Sequence, residues 1–397
     1  MTIPASASFP NLPDAGRRQF LQMLAAGAAT VASAGLAGAA DVKASGQNYA
    51  PQGKARPVVK PGEFGFAAAY LDHGHIYGQC NGLLEAGAEL KWVFDADPKK
   101  VAAFVEKYPA VKVARSFDEV LADPAVKMVA AAAVPNERGA IGCRVMKAGK
   151  DYFTDKTPFT AVDSFEAAKK VVAETGRKFM VYFSERLHNE SAMYATQLVK
   201  DGAIGRVLQV LGLGPHRLGK ADRPAWFFEH AKYGGILCDI GSHQFEQFLT
   251  FSGATDATVL HAAVANYGNP DHPELEDFGQ ATLLGNNGAT NYIRVDWFTP
   301  AGLSTWGDGR TFILGDKGYI ELRKYVDVGR DKAGDHVYLV DGKGEQHLDV
   351  AGQVGFPFFG ELILDCLNRT EKAMTQAHIF KAAELCLKAQ AAAKKIA

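Results

Sequence analysis

The sequence predicts an α/β protein in two halves, a doubly wound parallel sheet followed by an α+β domain built on a largely antiparallel sheet. Three observations carry this reading. Strand-type and helix-type segments alternate between residues 63 and 205, the rhythm of parallel strands joined by crossover helices. Met128 to Val134 is an uninterrupted apolar run, as a strand buried on both faces requires. After Val207 the segments are longer and are joined by Gly/Asn/Asp turns at 285–288, 315–318 and 341–344. The first half, residues 63–186, is thus read as Rossmann-type. Residues 187–376 form the second domain and 377–397 a C-terminal helix.

Taken in order, Phe64 to Leu71 is a strand, followed by a Gly-punctuated helix through Leu83, Leu84 and Ala86. Leu90 to Phe94 is the next strand and ends at Asp95. Ser116 and Glu119 make a capping box that opens a helix carrying Phe117, Val120 and Leu121. After the Met128–Val134 strand come a helix to Ala148, a strand Asp151–Thr154, a helix Phe165–Glu174 and a strand Phe179–Phe183. The last helix places Ile379, Ala382, Cys386 and Ala389 on one face.

Composition narrows the partners. A net charge of -1 gives no electrostatic footprint for nucleic acid or a membrane surface. The five cysteines are scattered without a C-x-x-C pair, which argues against a zinc ribbon or a disulfide framework and for small buried side chains. Near the start, Arg17-Arg18-Gln19-Phe20-Leu21 precedes an Ala/Gly-rich run that ends in Ala37-Gly38-Ala39, a small-x-small cleavage pattern. This resembles a Tat signal, and Ala and Gly supply too little transfer energy for an anchor. Residues 1–40 are therefore expected to be a signal peptide of a periplasmic or otherwise exported protein, whose oxidising compartment leaves one disulfide open. Residues 41–62, with Pro51, Pro57 and Pro61, read as a linker or extended arm.

The first β–α turn is unusual. A dinucleotide turn of the form G-x-G-x-x-G lets the backbone approach a pyrophosphate. Here the stretch is Ala69-Tyr70-Leu71-Asp72-His73-Gly74, which keeps only the last glycine and puts an acidic side chain near the phosphates. Asp95, at the end of the second strand, is placed to accept ribose hydroxyls, which favours NAD over NADP; the other reading makes it a helix N-cap before Asp97-Pro98. His73-x-His75 offers two imidazoles, but no third ligand is set by spacing and no metal is assigned.

Several motifs then occur in one order: Asp95-Ala96-Asp97-Pro98, Val134-Pro135-Asn136, Ala148-Gly149-Lys150, Asp155-Lys156-Thr157-Pro158, Gly202 to Arg206, and Gly234-Gly235 through Asp239 to His243. Over residues 63 to 395 this resembles the Gfo/Idh/MocA oxidoreductase family, which has exported members. The resemblance implies that Lys156, from an E-K-P motif, lines a nicotinamide pocket with Asp239 and His243. It also implies cofactor contacts at Ala69, Leu71, Gly74, Asp95, Pro135 and Asn136, and a homo-oligomer assembled through the open sheet. The departures are Asp155 for the glutamate, Thr157 inserted before Pro158, and the degraded glycine turn.

Oxidising a sugar alcohol needs a base for the hydroxyl proton while hydride leaves the same carbon. His243 is tunable near neutral pH, with Asp239 at i-4 to orient it. Lys156 would serve as a base only with its pKa lowered from about 10.4 towards 7–8. A second polar cluster, Glu185, Arg186 and His188 with His216 and Arg217, is read either as substrate recognition or as salt bridges at the domain junction. Trp226 to Phe228 near Tyr233 suits a sugar-stacking wall or core.

The expected function is an NAD(P)-dependent oxidoreductase acting on a sugar, polyol or related carbohydrate. Its NAD or NADP is expected to be tightly bound, because the periplasm offers no soluble nicotinamide pool. The alternatives are a redox-neutral, NAD-assisted glycoside hydrolase or lyase, and a non-enzymatic carbohydrate-binding protein with a degenerate cofactor pocket.

Overall fold

The structure is a computed structural model that describes residues 51–397. The expected signal at 1–40 and the linker up to residue 50 lie outside the described residues. The first sheet contains β1 (Gly65–Ala69), β2 (Glu89–Phe94), β3 (Lys112–Val113), β4 (Val126–Ala131), β5 (Asp151–Asp155) and β6 (Phe179–Tyr182). Their spatial order is β3-β2-β1-β4-β5-β6 and every pairing is parallel. The linking helices are α1 (His75–Glu85), α2 (Pro98–Lys107), α3 (Phe117–Ala122), α4 (Arg138–Lys147) and α5 (Val162–Thr175). The order reverses between β1 and β4, so a crevice opens at the carboxyl ends of those strands, where ligands of this architecture bind.

Local chemistry explains the boundaries. All five residues of β1, GFAAA, are buried, and a Cβ on Gly65 would stand 2.3 Å from the Ala125 carbonyl oxygen. The apolar run of β4 leaves the ladder at Ala132, whose N–H instead donates to the Tyr70 carbonyl at 3.1 Å. The Ser116 hydroxyl caps α3 by accepting from Glu119 N–H at 3.2 Å, while the Glu119 carboxylate reaches past Ser116 to Arg115 N–H at 2.7 Å. β3 has no counterpart in the sequence reading, because two exposed residues carry no alternation.

Two short helices, α6 (Ser184–Leu187) and α7 (Glu190–Lys200), lead to the second domain. Its sheet holds β7 (Val207–Pro215), β8 (Ala257–Ala265), β9 (Phe278–Gly285), β10 (Thr290–Asp296), β11 (Arg310–Gly315), β12 (Gly318–Arg323), β13 (His336–Asp341), β14 (Gly344–Asp349) and β15 (Lys394–Lys395). The order is β14-β13-β12-β11-β7-β10-β9-β8-β15, antiparallel except for β7 with β10 and β8 with β15. The three turns read from the sequence join β9 to β10, β11 to β12 and β13 to β14. Helices α8 (His230–Tyr233), α9 (Ile236–Asp239), α10 (Gly241–Ser252), α11 (Pro357–Asn368) and α12 (Gln376–Ala392) complete the body. α10 lies close on β7, where a Cβ at Gly212 or Gly214 would strike the Gln244 side chain at 2.4 or 2.8 Å.

From Pro51 onward the arm runs without helix or strand as far as β1, yet it is tied down. Gly53 N–H donates to Glu190 Oε1 at 2.7 Å, Lys54 pairs with Glu85 at 2.9 Å, and Val58 N–H reaches the Ala86 carbonyl at 3.0 Å. Glu190 is fully buried and also accepts the N–H groups of Gly352, Val354 and Gly355 at 2.7, 2.9 and 3.1 Å. All five cysteines are free, and all but Cys143 are buried. No helix among the described residues is long and apolar enough to cross a membrane.

Glu190 thus clamps the arm to the loop after β14. Replacing it with alanine strands several N–H groups, each costing about 1–3 kcal/mol when left buried and unpaired. Glu190→Ala is expected to lower stability by roughly 3 kcal/mol in urea unfolding and to expose the arm to limited proteolysis. A variant with wild-type stability would refute the clamp.

Candidate functional site

A cavity of about 810 Å³ opens at the crevice of the parallel sheet and continues into the second domain. Lys156, directly after β5, is 6% exposed, and its Nζ donates to Asp239 Oδ1 at 2.5 Å. Asp239 ends α9, which follows Gly234 and Gly235 at φ values of 86° and 84°. A side chain at Gly235 would collide with Gln390 at 2.2 Å, so the glycine pair lets the chain turn sharply into α9. His243 stands in the first turn of α10, fully buried, with its N–H on the Ile240 carbonyl at 3.2 Å. The three residues singled out from the sequence therefore line one cavity. Asp239 Oδ2 and His243 Nδ1 are buried there without a hydrogen-bond partner among the described residues.

Burial sets the charge state of the imidazoles. It holds His243 well below its usual range, reinforced by the Lys156 ammonium and then by His75 and His216. His216 is pushed down for the same reasons, burial first and Lys156 next. Its ring packs on Trp306 at 4.2 Å, and its Nδ1 faces the Gly214 carbonyl at 3.1 Å. Burial lowers His188 to about 3, and its Nδ1 meets the Tyr182 hydroxyl. These rings are neutral at physiological pH.

Asp155 organises the loop before Lys156. Burial would raise its carboxyl, yet His75, Arg138 and His73 hold it well below the usual carboxylate range. Arg138 contacts Asp155 Oδ2 at 3.2 Å, the Ala133 carbonyl at 2.7 Å and the Thr157 carbonyl at 3.1 Å, and it also bonds the Lys156 carbonyl. The inserted Thr157 is thereby absorbed into the arginine's grip.

The second polar cluster divides. Glu185, His188, His216 and Arg217 line the cavity, and Arg186 does not. Arg186 makes a buried pair with Glu246, its Nε lying 2.8 and 2.9 Å from the two oxygens, so its fork is spent at the junction and not on substrate. Arg217 donates to the carbonyls of Leu303 and Thr305 at 2.6 and 2.9 Å and staples that loop. Glu185 accepts from Gln244 at 2.8 Å and from Lys324 at 3.2 Å, while its Oε1 lies 3.6 Å from His216 Nε2.

The first turn is also divided. Gly74, Pro135 and Lys156 face the cavity, whereas Ala69, Leu71, Asp95 and Asn136 do not. Tyr70 adopts φ +54°, and its ring packs on Phe117 and Phe94 at 5.0 and 5.9 Å. Asp95 accepts Leu71 N–H at 2.6 Å and Asp97 N–H at 2.8 Å. The helix cap is Asp97, which takes Lys99 N–H at 2.8 Å. Asp95 thus braces the turn. Asp72 is paired with Lys100 at 2.5 Å, which offsets its charge.

Sequence reasoning missed Arg138, Arg223 and Lys324. Arg223 lies over Phe227 and Trp297 at 4.5 and 4.9 Å on the cavity wall. Lys324 is fully buried against Glu185 and Gln247. Arg223 and Lys324 carry no motif that marks them in the sequence. Arg138 alone had a cue, three residues after Pro135 at the carboxyl end of a parallel strand.

Comparison with known proteins agrees with this architecture. A family model described as an oxidoreductase family with an NAD-binding Rossmann fold matches residues 65–183, and one for the GFO/IDH/MocA C-terminal domain matches residues 193–321. A provisionally assigned oxidoreductase from Erwinia carotovora atroseptica is 52% identical, with a TM-score of 0.82 over 84% of this chain and 100% of that one. Aldose-aldose oxidoreductase from Caulobacter crescentus shares the fold at 21% identity, with a TM-score of 0.68 over 83% and 97% of the two chains. Levoglucosan dehydrogenase in complex with NADH does so at 16% identity, with a TM-score of 0.68 over 83% and 96%. An uncharacterized oxidoreductase of Schizosaccharomyces pombe is 28% identical over 149 residues, 37% of this chain and 39% of that protein. D-xylose dehydrogenase of Paenarthrobacter nicotinovorans is 25% identical over 150 residues, 36% and 38% of the two. The chain thus spans less than two-fifths of the length of these curated relatives. With both domains matched in order, the chain belongs to the Gfo/Idh/MocA family of NAD-binding oxidoreductases.

Proposed function

We propose that this oxidoreductase takes a carbinol of a sugar or polyol to the carbonyl level, and that it works after export with a dinucleotide retained through the cycle. One observation carries the proposal: Lys156, at the carboxyl end of β5, shares one cavity with Asp239 and His243 from α9 and α10, all three buried, with one acceptor oxygen and one ring nitrogen unpartnered among the described residues. These residues fit the reactive end of a nicotinamide dinucleotide, which Gly74, Pro135 and Lys156 would hold along the crevice. When bound, the nicotinamide supplies the hydride acceptor.

The chain's own groups divide the remaining work. Lys156 is ion-paired to Asp239, so it acts as a hydrogen-bond donor to the substrate oxygen and fixes its position. His243 is neutral and its buried Nδ1 has no partner among the described residues, so it is the group placed to take the hydroxyl proton, with the burial that keeps it neutral making it a weaker base. Beyond them, Trp226, Trp297, Trp306 and Tyr325 line the cavity, with Glu185, His216 and Arg223 among them. Flat apolar faces beside convergent polar groups suit a sugar ring, whose CH face stacks while its hydroxyls hydrogen-bond. The sugar-acting names among the similar proteins support the same class. The paired arginines and the Ala/Gly run at the N-terminus support export.

Protein recovered from the periplasmic fraction and then unfolded is expected to release about one absorbing dinucleotide per chain. Absence from that fraction would sink the export reading, and absence of nucleotide would sink the retained cofactor. In a sugar-oxidation assay, Lys156→Met and His243→Ala are each expected to lower kcat by roughly 10²–10⁴ with circular dichroism unchanged, the range of lost acid–base and positioning catalysis. Wild-type turnover in both would remove these residues from the chemistry.

The histidines also predict a pH response. His188, His216 and His243 have folded pKa values below the unfolded value of about 6.5. The unfolded chain therefore binds more protons as pH falls through 6.5, and stability present above that pH is lost below it. The Tm is expected to fall between pH 7 and pH 5, before carboxylates titrate, and to fall less steeply in His188→Gln. A flat Tm across that window would contradict the neutral imidazoles.

A further inference from the structure

His73 and His75 sit two residues apart at the entry to α1, and the fold supplies the third group that sequence spacing could not. Asp155, at the end of β5, stands between them. Its Oδ2 lies 3.1 Å from His73 Nδ1 and its Oδ1 lies 2.7 Å from His75 Nδ1. One ligand atom from each residue falls within 4.8 Å of the others. We propose that His73, His75 and Asp155 form a binding site for a divalent transition-metal ion that opens onto the substrate cavity.

Three features support this. First, the carboxylate gathers both rings beside the cavity. Asp155 Oδ2 and Oδ1 lie 3.1 and 2.7 Å from His73 Nδ1 and His75 Nδ1; ring protons satisfy these contacts, and a divalent ion would take the place of those protons. Second, the site is rigid where a metal needs it. Asp155 is fixed by Arg138 Nη2 at 3.2 Å and Lys156 N–H at 2.7 Å, and the two imidazoles meet edge to face at 4.2 Å. Third, the surroundings favour imidazole-seeking ions. Five of the eleven histidines line this one cavity. Arg138 already offsets the Asp155 carboxylate, so net charge contributes little and nitrogen donation must supply the affinity. That selects Zn²⁺, Co²⁺ or Fe²⁺ over Mn²⁺, Ca²⁺ and Mg²⁺. Three protein ligands leave coordination positions open for water or a substrate oxygen, the pattern of catalytic rather than structural metal sites.

The proposal does not depend on the hydride-transfer reading, and the test keeps the two apart. Untagged protein is stripped with a chelator and loaded with Co²⁺, and metal content and visible ligand-field absorption are measured alongside released dinucleotide. About one Co²⁺ per chain is expected, with a visible absorption band. His75→Ala is expected to weaken Co²⁺ affinity at least tenfold, and Asp155→Asn to do the same. Asp155 also anchors Arg138, so the Asp155→Asn result is read together with circular dichroism, and His75→Ala decides the matter. The competing pair, His336 and His347 at 3.0 Å on β13 and β14, is the control, and His347→Ala should leave binding intact. Binding of less than a tenth of an equivalent, or binding lost in His347→Ala and kept in His75→Ala, would overturn the site. Metal without dinucleotide would support the site and count against the retained cofactor; dinucleotide without metal would do the reverse.

Discussion

A carboxylate with no exposure to solvent sits at the centre of this protein. Asp155 ends β5 fully buried, and a buried anion is tolerated only where charge and hydrogen bonds surround it. Arg138 and the Lys156 N–H supply that surround, with the His73 and His75 rings closing it on the cavity side. The requirement ties together three segments distant in sequence: the turn after β1, the start of α4 and the loop after β5. Because Lys156 follows directly, the direction of its side chain is a consequence of how its neighbour is held. Loss of the carboxylate would leave Arg138 buried without its counter-charge, a more costly state than loss of the whole pair.

The second domain answers with its own buried pairs. Glu185 meets Lys324, and Arg186 meets Glu246, across the junction between the parallel half and the large sheet. Such pairs add little net stability once desolvation is counted, but they specify how two surfaces register. Here they hold Asp239 and His243, carried on α9 and α10, against Lys156 from the first domain. The trio proposed for catalysis is therefore an interface property, since neither half contains it alone.

This division explains how much of the site was legible in the sequence. The buried strand β4, the turns of the large sheet and the order of strands and helices follow from local composition, and all were readable. Lys156, Asp239 and His243 stood out because they sit in the motifs that carry the family resemblance, and the fold brings all three to one cavity. What escaped depends on contacts between distant segments. The parallel pairing of β7 with β10 joins residues about eighty positions apart, with no local mark of direction. Arg186 and Arg217 look alike as basic residues near strand ends, and only the partners, a carboxylate for one and backbone carbonyls for the other, separate them. Asp95 was placed correctly at the end of β2, but its engagement with Leu71 N–H, 24 residues away, could not be read from spacing.

The first turn shows how a lost motif is rebuilt by other means. A glycine turn leaves its N–H groups free for phosphate; this turn spends two of them internally, Leu71 on Asp95 and His75 on His73. Tyr70 takes the left-handed conformation that glycine would occupy easily, and its ring is held by Phe94 and Phe117. Asp72, an awkward charge beside any phosphate, is matched by Lys100. The turn is therefore braced and closed on its sheet-edge side, while Gly74, His73 and His75 remain on the cavity wall. Whatever occupies the crevice meets imidazoles and a helix entry in place of a glycine cradle, so its recognition must rest more on side chains than on backbone. That shift places the chemistry of the first turn and the chemistry of Lys156 within one continuous lining, with Asp155 behind both.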